Sequence, residues 1–230
     1  MAKHTHPDRL LLAVDCIIIG FLNGQLNLLV TRRDQEPRLG EWSLMGGLVV
    51  KGESIDAAAA RVTHELTGLE NVYLEQFQAF GDVGRTEEER TVSLAYYALV
   101  NQESATSQLS EHHDARWVSI RDVPALVFDH NKMVEAALVR LRYRATHEPV
   151  AFALLPKKFT LTQLQSLYEA IFDRPIDPGN FRRRLRKMDY LERQNEKDVT
   201  TSRKGSWYYT YNAEVYEEMK AAGEEFLLKP

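Results

Sequence analysis

A cationic segment near residue 180 gives the clearest indication of function in this sequence. Asp177 followed by Pro178 is a typical helix start, with an N-cap and a proline at the first helical position. Phe181, Leu185 and Met188 then recur at i, i+4 and i+7, which is typical of a buried helix stripe. The cationic and amide side chains of the opposite face and its flank are Asn180, Arg182, Arg183, Arg186 and Lys187. Arginine can pair with guanine and asparagine with adenine, so this face predicts a helix that enters a DNA major groove. A solvated basic face is the alternative.

Two further groups of polar residues flank this helix. Two strands, Leu191–Glu196 and Ser206–Tyr211, are predicted to pair across a loop from Lys197 to Gly205. The tip of this loop resembles the wing of a winged helix, and Lys157 and Lys158 precede the first helix of the segment. The expected phosphate contacts are Lys157, Lys158, Ser202, Arg203 and Lys204.

The charge of the chain is distributed unevenly. Residues 1–150 contain 15 Lys and Arg against 21 Asp and Glu, a net charge of −6. Residues 151–212 contain 12 against 7, a net charge of +5, and residues 213–230 contain 2 against 5, a net charge of −3. This division predicts a basic module that meets a polyanion, attached to an acidic module with another role.

A second set of residues lies in one loop and helix of the acidic part. Its members are Gly46, Gly47, Glu53, Arg61, Glu65, Gly68 and Leu69. Their spacing resembles the Nudix box, Gly-x5-Glu-x7-Arg-Glu-U-x-Glu-Glu-x-Gly-U, in which U is aliphatic. The resemblance implies a fold whose loop and helix hold the diphosphate of a nucleoside diphosphate derivative. It also implies helix glutamates that bind a magnesium ion, which activates water.

Two substitutions in the box change the expected function. Val62 and Leu66 stand where the family pattern has metal-binding glutamates. Since Mg²⁺ prefers several oxygen ligands in octahedral geometry, the remaining Glu65 and Glu53 are too few for a catalytic metal site. We therefore predict no hydrolysis, no catalytic residues, no metal and no cofactor. The resemblance implies that Glu53 and Arg61 instead form an ion pair between loop and helix.

Hydrophobic patterning predicts a mixed α/β domain followed by a compact helical one, divided as residues 1–150 and 151–230. The predicted strands of the first domain are Leu10–Ile19, Gln25–Thr31, Val72–Phe80, Thr91–Val100 and Ala115–Ser119, and its helices are Ile55–Thr67 and Asn131–His147. The second domain has predicted helices Thr160–Phe172 and Asp177 to about Asp189. Asn23-Gly24 predicts a hairpin turn, and Gly68 a helix stop.

Composition excludes several other classes of protein. With 44% hydrophobic and 27% charged residues, the chain has the balance of a globular protein. Its single cysteine, Cys16, excludes an intramolecular disulfide and lies in the apolar run Cys16–Leu22. That run is shorter than the roughly 20 residues of a membrane span. The N-terminus lacks the apolar segment of a secretory signal, so we expect a cytoplasmic protein without membrane contact.

Together, these features resemble the Nudix-related transcriptional regulators from about Leu10 to Tyr211. The resemblance implies a Nudix-like α/β/α sandwich with a mixed sheet, followed by a C-terminal winged helix-turn-helix domain. The stretches Gly40–Gly47, Leu66–Tyr73, Ser93–Leu99 and Phe159–Ile171 are most similar to the arabinose-utilisation regulator of gut Bacteroidetes. The implied protein is a homodimeric repressor that binds a palindromic operator in double-stranded DNA. A nucleoside diphosphate hydrolase with an accessory nucleic-acid module is the alternative.

The sequence is compatible with two classes of effector, a sugar and ADP-ribose. The resemblance favours a pentose such as L-arabinose, and the NAD-metabolism branch of the family implies ADP-ribose. Sugar sites combine polar side chains with an aromatic platform. The candidates within the acidic domain are Asp15, Glu41, Trp42, Arg85 and Arg90.

Overall fold

The computed structural model describes residues 10–86, 89–109, 114–200 and 205–229. These residues form two compact units. The first contains residues 10–19, 28–98 and 105–137, and the second contains residues 20–27, 99–104 and those from 138 onwards. The second unit thus combines two short N-terminal segments with the C-terminal half of the chain. The predicted domain boundary at residue 150 follows chain order instead, and it stays a prediction.

A seven-stranded sheet organises the N-terminal part of the chain. Five strands follow the order β3-β2-β1-β6-β5, while β4 pairs with β1 and β7 pairs with β2. The strands are β1 (Leu11–Leu22), β2 (Gln25–Arg32), β3 (Trp42–Ser43), β4 (Met45–Leu48), β5 (Glu75–Phe80), β6 (Thr91–Asn101) and β7 (Arg116–Ser119). The helices are α1 (Ile55–Thr67), α2 (Gln102–Thr106) and α3 (His130–His147).

Local sequence explains the ends of these elements. The turn between β1 and β2 has positive φ at Asn23 (52°) and Gly24 (78°), as a type I′ hairpin requires, which confirms the predicted hairpin. The Ser54 side chain accepts a hydrogen bond from the Ala57 amide at 3.1 Å and caps the start of α1. Gly68, with φ of 78°, ends the same helix in the left-handed region, as predicted.

The C-terminal part of the second unit, from Phe159 onwards, has the element order of a winged helix. Its elements are β8 (Phe159–Thr160), α4 (Leu161–Phe172), α5 (Pro178–Leu185), β9 (Leu191–Asp198), β10 (Ser206–Tyr211) and α6 (Ala213–Ala221). The three strands form a small sheet in the order β8-β10-β9. Thr160 and Gln163 form a reciprocal capping box at the start of α4, and Phe181 and Leu185 of α5 are buried.

Two predicted elements are longer than the observed ones by three or four residues. The helix predicted to reach Asp189 ends at Leu185, because the chain turns there and Tyr190 enters an aromatic cluster with Tyr211, Tyr216 and Phe226. The strand predicted from Val72 begins at Glu75. Among the described residues, no helix combines the length and apolar character needed to cross a bilayer.

Candidate effector cleft and nucleic-acid interface

A cleft of about 290 Å³ opens in the first unit, lined by β1, β4 and the start of α3. Asp15 and Arg85, two of the predicted effector residues, lie in its lining. So do the Gly46-Gly47 pair of the box and Arg33. The structure therefore brings part of the predicted effector set and the box loop to one site.

A buried ionic network forms part of this lining. The Arg85 guanidinium donates to Asp129 through Nη2 at 2.8 Å and through Nε at 3.1 Å, and its Nη2 lies 3.5 Å from Asp15 Oδ2. Ser93 Oγ donates to the same Asp15 oxygen at 2.5 Å. The side chains of Arg85 and Asp129 are only 3% and 10% exposed. One guanidinium is thus shared by two carboxylates at buried positions, where a charge without a partner would be costly.

His130 completes the network as a neutral donor. Its Nδ1 accepts a hydrogen bond from the Leu44 amide at 3.2 Å, which places the ring proton on Nε2. Nε2 lies 3.3 Å from Asp15 Oδ1. Burial lowers the pKa of His130, so the imidazole stays uncharged while it donates to Asp15.

The box loop lies directly against Asp15. Asp15 on β1 is the register partner of Gly46 on β4. A Cβ atom added to Gly46 would lie 2.2 Å from Asp15 Oδ1, so this position requires glycine. The backbone of the loop and the ionic network therefore share one wall of the cleft.

The other predicted effector residues lie outside the lining of this cleft. Trp42 is half-buried, with the Arg32 guanidinium 4.0 Å from its ring centroid. Glu41 is exposed and pairs with Arg38 at 3.4 Å. Arg90 donates to the Gly81 carbonyl at 2.6 Å and to that of Asp82 at 3.1 Å, which ties a loop together.

Sequence reasoning missed three members of the network: Ser93, Asp129 and His130. Ser93 interrupts an apolar strand just as Asp15 does, and this signal could have been used. Asp129 and His130 directly precede the predicted helix, where polar residues are common, so their position gave no such indication.

The remaining box residues form an ion-pair cluster. Arg61 donates to Glu53 Oε1 at 2.7 Å and Oε2 at 3.0 Å, to Glu65 Oε2 at 3.0 Å and to the Leu48 carbonyl at 3.0 Å. The hydrogen bond from Arg61 lowers the pKa of Glu53 to about 2. The cluster joins the loop of residues 48–53 to α1.

This geometry does not fit a magnesium site. Val62 is 2% exposed and lies against Gly47, whose added Cβ would be 2.7 Å from Val62 Cγ2. Glu53 and Glu65, the carboxylates that the box retains, both bind Arg61. Within the described residues, no group of three or more His, Cys, Asp or Glu side chains is arranged to hold a metal ion.

The predicted DNA-contacting face of α5 is solvent-exposed. The exposed residues of this face are Asn180, Arg182 and Arg183 within the helix and Arg186 and Lys187 directly after it. Arg183 donates to Asn180 Oδ1 at 2.9 Å, which orients both side chains. Arg184, on the flank of the face, donates instead to the Lys229 carbonyl.

The flanking basic residues differ in their surroundings. Lys157 and Lys158 are exposed, and the Lys158 ammonium pairs with Glu196 of β9. The predicted wing residues Ser202, Arg203 and Lys204 lie outside the described residues.

Comparison with known proteins supports both halves of the fold prediction. Residues 10–137 match the NUDIX domain family, and residues 151–211 match the NrtR DNA-binding winged helix domain. The chain is 30% identical over 210 residues to the "ADPR responsive transcriptional repressor NtrR" of Acinetobacter baylyi, with 90% of this chain and 84% of that protein covered.

Two of the solved structures that resemble the chain carry information on its possible ligands. Shewanella oneidensis NrtR complexed with a 27mer DNA is 28% identical with a TM-score of 0.80, and the match covers 94% of this chain and 98% of that one. The NUDIX domain of the same protein complexed with ADP ribose is 29% identical with a TM-score of 0.52, covering 60% and 94% respectively.

The Acinetobacter relative is ADPR responsive, and the Shewanella NUDIX domain is complexed with ADP ribose. Neither supports the predicted similarity to an arabinose-utilisation regulator. The Nudix-like α/β fold followed by a winged helix domain is confirmed. The chain therefore belongs to the NrtR-like family of Nudix-domain transcriptional regulators.

Proposed function

We propose that this protein is a transcriptional repressor whose winged helix binds operator DNA and whose Nudix unit binds ADP-ribose. The exposed cationic face of α5 within the NrtR-type winged helix domain is the observation that carries the proposal. ADP-ribose, the alternative left open by the sequence, replaces L-arabinose because the Acinetobacter relative responds to ADPR.

The proposed DNA contacts divide into two classes. Arg182, Arg183 and Arg186 are exposed on or next to α5, and the planar fork of an arginine can donate two hydrogen bonds to a guanine edge. Lys157, whose ammonium is a point charge, is suited to a phosphate. We expect the first class to set sequence preference and the second to strengthen binding to every sequence alike.

The cleft offers chemistry suited to a diphosphate. Arg33 uses its Nε to donate to the Pro37 carbonyl at 2.9 Å. Its terminal amino groups have no acceptor among the described residues, so they are free to bind phosphate oxygens. The Phe128 ring, whose centroid lies 5.3 Å from the Arg33 guanidinium carbon, adds an aromatic surface to the same lining.

A homodimer on a palindromic operator is part of the proposal. A single winged helix contacts few base pairs, whereas two copies related by a two-fold axis read two half-sites. Analytical ultracentrifugation of the chain alone and with a duplex operator should give two chains per duplex. One chain per duplex would contradict this part of the proposal.

Fluorescence anisotropy with promoter fragments from the protein's own genomic neighbourhood tests DNA binding. Arg183→Ala and Arg186→Ala should each weaken binding to the operator by about fivefold to 150-fold, as expected for loss of an arginine–guanine pair worth about 1–3 kcal/mol. Arg184→Ala is the matched control on the same helix, because its guanidinium binds the Lys229 carbonyl. Parent-like binding by both test variants would refute α5 as the reading helix.

Thermal unfolding with added ligand tests the effector. ADP-ribose at 100 times its Kd should stabilise the protein by about 2.7 kcal/mol, and L-arabinose should give no shift. Arg33→Ala should weaken ADP-ribose binding without loss of fold, with the exposed Lys51→Ala as control. Addition of ADP-ribose should also change the anisotropy of the operator complex. Binding of L-arabinose without binding of ADP-ribose would refute this part of the proposal and favour a sugar-responsive regulator.

A further inference from the structure

The β9–β10 hairpin has one cationic face and one acidic face. Arg193, Lys197, Trp207 and Tyr209 share the first face, because Trp207 is the register partner of Lys197 and Tyr209 that of Arg193. Glu192 and Glu196 alternate onto the other face of β9. The hairpin therefore separates charge across its thickness.

The cations of the first face are held by an exposed aromatic ring. The Lys197 ammonium lies 4.5 Å from the Trp207 ring centroid, and the Arg193 guanidinium carbon lies 4.9 Å from it. Trp207 is 38% exposed, which is unusual for so large an aromatic side chain. Within the described part of the chain, neither cation has a carboxylate partner.

The two glutamates of the acidic face already have partners within the fold. Glu196 pairs with Lys158, and Glu192 accepts a hydrogen bond from Asn212 Nδ2 at 2.7 Å. Glu192 and Glu196, which directly precede Arg193 and Lys197 in the sequence, are therefore directed to other partners. The positive charge of the first face remains available to an external anion.

We infer that Arg193, Lys197 and Trp207 form a second DNA contact, which binds phosphates of the duplex and not its bases. The inference rests on the proposed DNA-binding function and assigns these strand residues a role in addition to α5 and the wing tip. Cation–π contact restricts two long side chains before binding, so less conformational entropy is lost when they meet a phosphate. Duplex DNA supplies closely spaced phosphates, which match two cations arranged around one ring.

Salt dependence of binding by the full chain tests this contact. Each phosphate contact contributes about 0.9 to the slope of log K against log salt and about fivefold to affinity at 0.15 M salt. Arg193→Gln with Lys197→Gln should lower the slope by about 1.8 per bound chain, equally on the operator fragment and on an unrelated duplex. Arg193→Lys with Lys197→Arg keeps both charges and should keep the slope.

Two further variants separate this contact from general effects. Trp207→Ala keeps both cations but releases them, so binding to both duplexes should weaken by about twofold to fivefold with little change in slope. Lys220→Ala removes an exposed cation of α6 and should leave the slope unchanged. Circular dichroism melting should show that each variant is folded.

The outcomes distinguish this inference from the function on which it rests. DNA binding by the parent with an unchanged slope in the double Gln variant would overturn the inference and leave the proposed function standing. A loss confined to the operator fragment would also overturn it, because it would indicate base recognition. Absence of any DNA binding by the parent would overturn both.

Discussion

Replacing Arg85 by methionine should destabilise the first unit strongly, because methionine keeps an apolar stem but removes the charged guanidinium. Asp15 and Asp129 would lose their shared counter-charge at sites that are 6% and 10% exposed. Removal of one partner from a buried ion pair costs about 3–5 kcal/mol. At about 2–4 °C per kcal/mol for a chain of this size, the melting transition of that unit should fall by roughly 6–20 °C.

A surface ion pair of the same length provides the control. Arg116 Nη2 lies 2.7 Å from Asp114 Oδ1, close to the 2.8 Å of Arg85 and Asp129, but its two side chains are 64% and 44% exposed. Arg116→Met should therefore cost only about 0–1 kcal/mol. Differential scanning calorimetry of both variants makes the comparison. Equal effects would show that burial does not determine the strength of the Arg85 network.

The remaining predictions concern the box and the winged helix. The purified protein should not hydrolyse ADP-ribose with Mg²⁺ or Mn²⁺, because Val62 and Leu66 replace metal-binding carboxylates; steady turnover in a phosphatase-coupled assay would refute this. Since Arg61 lowers the pKa of Glu53 from 4.5 to about 2, the stabilisation by ionised Glu53 is present above pH 4.5 and lost towards pH 2. The difference in urea midpoint between the parent and Glu53→Gln should shrink over that interval. Thr160→Ala removes the capping box of α4 and should cost about 1 kcal/mol in the unfolding of its unit, whereas Thr162→Ala should cost less.

Elements with local signals were predicted well from the sequence. The Asn23-Gly24 turn and the Gly68 helix stop require positive φ, and these residue types supply it at low cost. The predicted end of α5 near Asp189 was wrong. The burial of Tyr190 against distant aromatic residues, and not helix periodicity, determines where the chain turns. The short strands β3 and β4 were not among the predicted strands, and their pairing with β2 and β1 has no local signature.

The ionic network shows why the cleft was predicted only in part. Asp15 and Ser93 were separate polar interruptions in two apolar strands, and their hydrogen bond joins residues 78 positions apart. Periodicity describes neighbours within a few residues, so it cannot pair residues at such separations. Asp15 and Arg85 were predicted as polar residues for a sugar site, and both line the cleft, where they form the ion pair that buried charges require.

The two proposed binding surfaces therefore require different experiments. The cationic side chains on and next to α5 are exposed, so single substitutions there change DNA binding while the buried Phe181 and Leu185 maintain the fold. Asp15, Arg85 and His130 are buried beneath the cleft, so their substitution changes stability and ligand binding together. Arg33 is half-buried and its terminal amino groups have no acceptor among the described residues, so Arg33→Ala can report ligand binding alone. If Arg33→Ala binds ADP-ribose as the parent does, the diphosphate must be held elsewhere, and the glycine amides of the box loop become the next donors to test.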